Sequence, residues 1–200
     1  MRRLAEWNPA AASAPPVRYA RAVDQNRALP PDHGLSHLDA HGRVNMVDVS
    51  QKPTTVRRAV AGARVRLDAE TRALLLAGAL PKGEVLSTAR IAGIQAAKET
   101  SRLIPLCHPL PLSFVGVEFA PEGDDALRLT AEARTSGPTG VEMEAMVAVS
   151  VAGLCVYDMV KARCRSASLE DVRLLHKSGG KSGTWEAGDA PAGADGEARR

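Results

Sequence analysis

Aromatic residues are nearly missing from this 200-residue sequence, which has two Phe, two Trp and two Tyr. Proteins that hold single-stranded nucleic acid stack its bases on aromatic rings. Phe114, Phe119 and Tyr157 alone lie near predicted strands, so nucleic acid is not the expected partner. Cysteine is also scarce: Cys107, Cys155 and Cys164 are too few and too unevenly spaced for a disulfide framework. Long hydrophobic runs are lacking. The longest, Val147 to Tyr157, has eleven residues, is interrupted only by Ser150 and is bracketed by Glu144 and Asp158. That is well short of the ~20 residues a membrane span needs, so no membrane association is expected. Arg2 and Arg3 are followed by Glu6, Asn8 and Pro9, which break up the apolar region of an export signal. The expected location is therefore the cytoplasm. A net charge of +3 adds no argument for a polyanionic partner.

Lysine is the informative scarcity. Of 26 basic residues only six are Lys: Lys52, Lys82, Lys98, Lys161, Lys177 and Lys181. Arginine stays protonated at any working pH, whereas a lysine amine can give up its proton when its surroundings lower its pKa. In a chain that uses Arg by default, each Lys marks a place where an amine is specifically required, or is a chance survivor on a solvated surface.

With 44% hydrophobic and 24% charged residues, the chain has the composition of one globular domain with room for tails. Residues 1–33 hold five of the thirteen prolines and show no periodicity, and are read as a flexible Ala/Pro-rich extension. Residues 184–200 are rich in Gly, Ala and acids and are read as a disordered tail. Between them, over 34–183, helical and strand patterns mix. Thr54 and Thr55 cap a predicted short helix through Val56, Ala59 and Val60. Ala63 to Leu67 alternates as a strand, Glu70 to Leu80 is a helix ended by Pro81, and Glu84 to Leu103 is a longer helix. Ser113 to Ala120 and Ala126 to Thr135 are predicted strands joined by the turn Glu122-Gly123-Asp124-Asp125. A long helix is predicted from Val141 to Arg163 and a last strand from Asp171 to His176. Hairpin strands with long helices on one face make an α+β two-layer sandwich built on an antiparallel sheet.

Four constellations stand out. Thr139 and Glu142 have the spacing of a capping box, which would explain Glu142 structurally. Glu144 favours the same helix start through the helix dipole. Asp158 and Lys161 stand three apart at the helix end, either as a surface ion pair or as a pair at the edge of a partly buried site. In the second case the carboxylate holds the amine while desolvation lowers its pKa. The loop Ile104-Pro105-Leu106-Cys107-His108-Pro109-Leu110-Pro111 is stiffened by three prolines that can aim His108. No second Cys or His lies near it at ligand spacing, and Gly34 and Gly42 oppose a helix aligning His33, His37 and His41, so no metal site is expected. Lys177-Ser178-Gly179-Gly180-Lys181-Ser182-Gly183 offers amides, hydroxyls and ammonium groups to a phosphate, or is a linker into the tail. Leu175 stands where a Walker A loop has its first glycine.

In order, these segments resemble the cyclic pyranopterin monophosphate synthase family of molybdenum cofactor biosynthesis (protein C). The resemblance runs from about Leu35 to Gly183 and is carried by Asn45 to Ser50, Thr88 to Lys98 and Leu103 to Leu110. It continues through Thr139 to Ala145, Tyr157-Asp158-Met159 with Lys161, and the Lys177 to Gly183 loop. It implies a ferredoxin-like fold and a lyase that converts a cyclised dihydro-GTP into cyclic pyranopterin monophosphate with release of pyrophosphate. It implies catalytic roles for Asp158, Lys161 and Lys82. Leu106, Cys107, His108, Met143 and Glu144 would bind substrate, with Glu142, Lys98, Arg57 and Lys177 lining the pocket. It also implies a homohexamer, a trimer of dimers with sites at the dimer interface. No resident cofactor is implied, and a divalent cation accompanying the triphosphate is compatible with it. A non-catalytic oligomeric nucleotide-binding or sensor module would share these binding features.

Helix geometry adds one expectation independent of the resemblance. Glu144 and Asp158 are fourteen residues apart, which at 100° per residue puts them on one helical face but about 21 Å apart along the axis. One reacting centre cannot touch both carboxylates of one chain. If both serve one site, the helix must meet an antiparallel symmetry mate, giving two composite sites per dimer.

Overall fold

The computed structural model describes residues 43–188, and their secondary structure lies in one compact unit that begins at Met46. The 1–33 extension, the histidines at 33, 37 and 41, and residues 189–200 of the expected tail lie outside the described residues. The order of elements is β1 (Thr55–Arg66), α1 (Ala69–Leu76), α2 (Val85–Lys98), α3 (Thr100–Leu103), β2 (Leu112–Glu122), β3 (Ala126–Gly137), α4 (Glu142–Val160), β4 (Ser168–Ser178) and β5 (Trp185–Glu186). The five strands form one sheet in the order β2-β3-β1-β4-β5, with every neighbouring pair antiparallel. Helices α2 and α4 pack together, α2 on β2 and α4 across β1, β3 and β4. This is the expected α+β, ferredoxin-like two-layer sandwich.

The first element departs from the sequence reading. The predicted helix from Thr54 through Val60 is instead the start of β1, the central strand. Ala59, Ala61, Ala63 and Val65 alternate into the core, while Arg58, Arg64 and Arg66 face away and bind Glu132, Glu122 and Glu170. Alanine's helix propensity is a weak preference that two flanking strands override. Small residues there also suit the layer above. A Cβ on Gly93 of α2 would lie 2.8 Å from the Ala148 carbonyl oxygen of α4, so the two helices meet closely at that glycine.

Other differences are smaller. Asp68 caps α1 by accepting a 2.7 Å hydrogen bond from Thr71 N, and α1 stops at Leu76, where Gly78 takes up φ +65 beyond the helix end. The helix predicted from Glu84 to Leu103 breaks at Glu99 into α2 and α3. Strand β5 lies within the residues read as tail and pairs with His176 and Lys177 of β4. Helix α4 is the one described helix long and apolar enough, by length and composition, to cross a bilayer. The eleven-residue run understates it, because Met143, Ala145, Met159 and Val160 extend its apolar content to both ends. Its apolarity has a local cause: Ala145, Ala148, Val149, Ala152, Val156 and Val160 are buried in the core.

Candidate functional site

At one end of the sheet β1 begins while its two antiparallel neighbours end. The register places Thr55 opposite Gly137 and Arg58 opposite Ser178. Residues far apart in sequence therefore converge around a cleft of about 810 Å³. Its wall includes Lys52, Arg57, Thr139, Glu142, Lys177 and Lys181. Arg57 is held by two backbone carbonyls, Nε donating to Gly137 O at 3.3 Å and Nη2 to Pro138 O at 3.1 Å. Lys177 Nζ donates to Glu142 Oε1 at 3.1 Å. Arg58 also lines the cleft but is spent on a two-pronged pair with Glu132 at 3.0 and 2.8 Å. Among the described residues, Lys52, Arg57 and Lys181 face the cleft without a carboxylate partner. An excess of cations over one carboxylate makes a site for an anion.

Two sequence expectations change here. Thr139 is not the N-cap of α4: Val141 is, with no side-chain cap hydrogen bond. The helix starts two residues later than a Thr139 cap requires, which frees Glu142 to turn to Lys177. The loop after Ser178 is also not a linker, because β5 pairs back onto β4 and makes it a closed connection along the cleft.

A second recess, of about 260 Å³, is lined by Lys98, Thr100, His108, Leu110 and Glu144. The proline-rich loop is fixed to β3 by Thr135 Oγ1, which donates to Pro111 O at 2.7 Å. Glu144 is 4% exposed, and burial pushes its carboxyl up to about 7, with the nearby negative charge of Glu142 adding to the rise. Burial and the charge of Glu144 raise the Cys107 thiol as well. Asp48 is held low mainly by the hydrogen bond from Ser50 N and is close enough to His108 to feel its charge. Leu106 is half-buried in this loop and Met143 stands exposed at the start of α4. Sequence reasoning assigned no role to Asp48 or Lys52. Asp48 lay in a shared segment, and Lys52 was flagged only by the rarity of lysine.

At the far end of α4, Lys161 Nζ meets Asp158 Oδ1 at 2.6 Å. Lys82 Nζ donates to the Asp158 carbonyl at 2.9 Å, with the carboxylate 3.9 Å away. The three residues thus form one cluster. Its environment differs from the partly buried edge expected, since the Asp158 and Lys161 side chains are 62% and 53% exposed. Their ion pair prevails over desolvation, so Lys161 is held above the usual amine range rather than below it, and Asp158 below the usual carboxylate range. The helix between the two ends is unbroken. Arg57, Lys98, Cys107, His108, Glu142, Glu144 and Lys177 therefore gather at one end and Lys82, Asp158 and Lys161 at the other, about 21 Å apart along the axis.

A sequence model of the MoaC family matches residues 46–180. The chain belongs to the MoaC family. This is an enzyme family of molybdenum cofactor biosynthesis, so that is the setting in which the chain works, on a small molecule. The match starts where the compact unit starts and takes in both ends of α4, the proline-rich loop and Lys177. Only the last residues of the cleft, Lys181 and Ser182, fall just beyond it. The MoaC family chain has, among its described residues, no group of three His, Cys, Asp or Glu placed to hold a metal ion.

Proposed function

We propose that this protein converts a cyclised dihydro-GTP into cyclic pyranopterin monophosphate and pyrophosphate. The observation that carries the reading, beside membership of the family, is the cleft in which, among the described residues, Arg57, Lys52 and Lys181 have no carboxylate partner and Lys177 has Glu142 alone. Closing the cyclic phosphate forms a bond from an internal hydroxyl oxygen to the first phosphorus and breaks the bond to the pyrophosphate oxygen. The hydroxyl proton passes to a base, and the leaving group gathers negative charge. Arg57, Lys177 and Lys98 oppose that charge. Rebuilding the guanine-derived ring requires repeated proton transfers, for which Asp158, Lys161 and Lys82 supply a hydrogen-bonded carboxylate and amines. In water the Asp158–Lys161 pair keeps its proton fixed.

The same reading requires an oligomer. Cations at one end of α4 and the proton-transfer cluster at the other serve one substrate only if the helix meets an antiparallel copy. We therefore place composite sites at a two-fold dimer interface, within a hexamer built as a trimer of dimers in the cytoplasm. The test is incubation of purified protein with the cyclised dihydro-GTP, following pyrophosphate and the pterin product together. Formation of both supports the lyase. Tight binding without either product leaves a nucleotide-binding module in its place.

A further inference from the structure

We propose that Gly179 and Gly180 form a slot that holds the Arg57 guanidinium at the cleft, so that Gly180 is a positioning residue for this cation. Both glycines have left-handed backbone, with φ +100 and +72. Space adds a second constraint. A Cβ on Gly180 would overlap Arg57 Nη1 and Cζ, and a Cβ on Gly179 would overlap the Val56 carbonyl oxygen. On the other side the guanidinium is tied to Gly137 O and Pro138 O at the end of β3. Arg57 is thus clasped between the ends of β3 and β4. Two of its five N–H groups are used by those carbonyls, leaving three for an anion. A guanidinium fixed in this way meets a phosphate without first giving up side-chain freedom.

The alternative explanation of the glycines is a cradle of backbone amides around the phosphate. The two differ in one respect: the slot works through Arg57, and the cradle does not. The proposal rests on reading the cleft as the triphosphate site, yet binding of inorganic pyrophosphate needs no turnover, so the lyase reading and the slot can fail separately. Titration calorimetry with inorganic pyrophosphate and thermal melting are measured on the wild type, Gly180→Ala, Arg57→Ala and the double variant. Gly180→Ala should weaken pyrophosphate about tenfold, as Arg57→Ala does, the size expected for one charge-assisted contact. The double variant should bind no more weakly than Arg57→Ala and should melt above Gly180→Ala, because the overlapped atoms are gone. Gly78→Ala, at φ +65 with nothing within 4 Å, gives the cost of the backbone conformation alone. Additive losses of affinity, or a double variant that melts no higher than Gly180→Ala, overturn the proposal. Should Gly180→Ala fail to fold, a folded double variant supports the slot and an unfolded one overturns it. Should the wild type not bind pyrophosphate, the reading of the cleft falls and the melting comparison alone decides the slot.

Discussion

Burying Glu144 has a thermodynamic consequence that Glu144→Gln exposes. The folded carboxyl titrates at about 7 against an ordinary value of 4.5. Between those values the folded chain holds a proton that the unfolded chain releases. Stability therefore falls as pH rises from about 4.5 to about 7, and above that this group adds no further slope. At about 1.4 kcal/mol per pH unit the full shift is worth about 3 kcal/mol. Glutamine keeps the shape and cannot ionise. The variant should match the wild type near pH 4.5, gain on it steadily to pH 7, and keep a constant lead of about 3 kcal/mol beyond. Urea unfolding at half-unit pH steps reads this directly, at one protein concentration because assembly adds to apparent stability. With a denaturant slope of about 2 kcal/mol per molar, the midpoints should separate by about 1.5 M. Unfolding curves of wild type and variant that stay parallel from pH 4.5 to 8 would refute the reasoning, since the carboxyl would then be no harder to ionise folded than unfolded.

Asp158→Asn should leave the melting temperature unchanged, since the side chain is exposed, while turnover falls at least about a hundredfold; wild-type-like turnover would reduce Asp158–Lys161 to a surface ion pair. Lys177→Ala and Lys181→Ala should each weaken pyrophosphate binding and flatten its salt dependence, because each removes a screened cation from the cleft; calorimetry at two ionic strengths checks both. Glu144→Ala and Asp158→Ala, inactive alone, should regain partial activity when mixed under subunit exchange, because a mixed dimer has one site with both defects and one with neither. Mixed dimers that form and remain dead would place the whole site in one chain. Gly93→Ala should cost about 1–3 kcal/mol in urea unfolding, since its Cβ would press on the Ala148 carbonyl and force α2 and α4 apart.

The β2–β3 hairpin, its turn at Glu122 to Asp125 and α4 were legible in the sequence. Each is written in local patterns: alternation with period two, a Gly-Asp turn, a run of helix-compatible apolar residues. The 14-residue interval from Glu144 to Asp158 likewise set their separation as soon as α4 was known to be one helix. Alternation in Thr55 to Arg66 was harder to read, because its inward face is mostly alanine and a strand's claim on alanine comes from its neighbours. Only the tertiary structure placed β1 between β3 and β4, and that order brings Arg57 of β1, Glu142 of α4 and Lys177 of β4 to one cleft from three separate elements. The turn of Glu142 away from a cap toward Lys177, the raised carboxyl of Glu144 and the open, solvated Asp158–Lys161 pair were decided there too. Their charge states depend on burial and on partners distant in sequence, and local spacing carries no information about either.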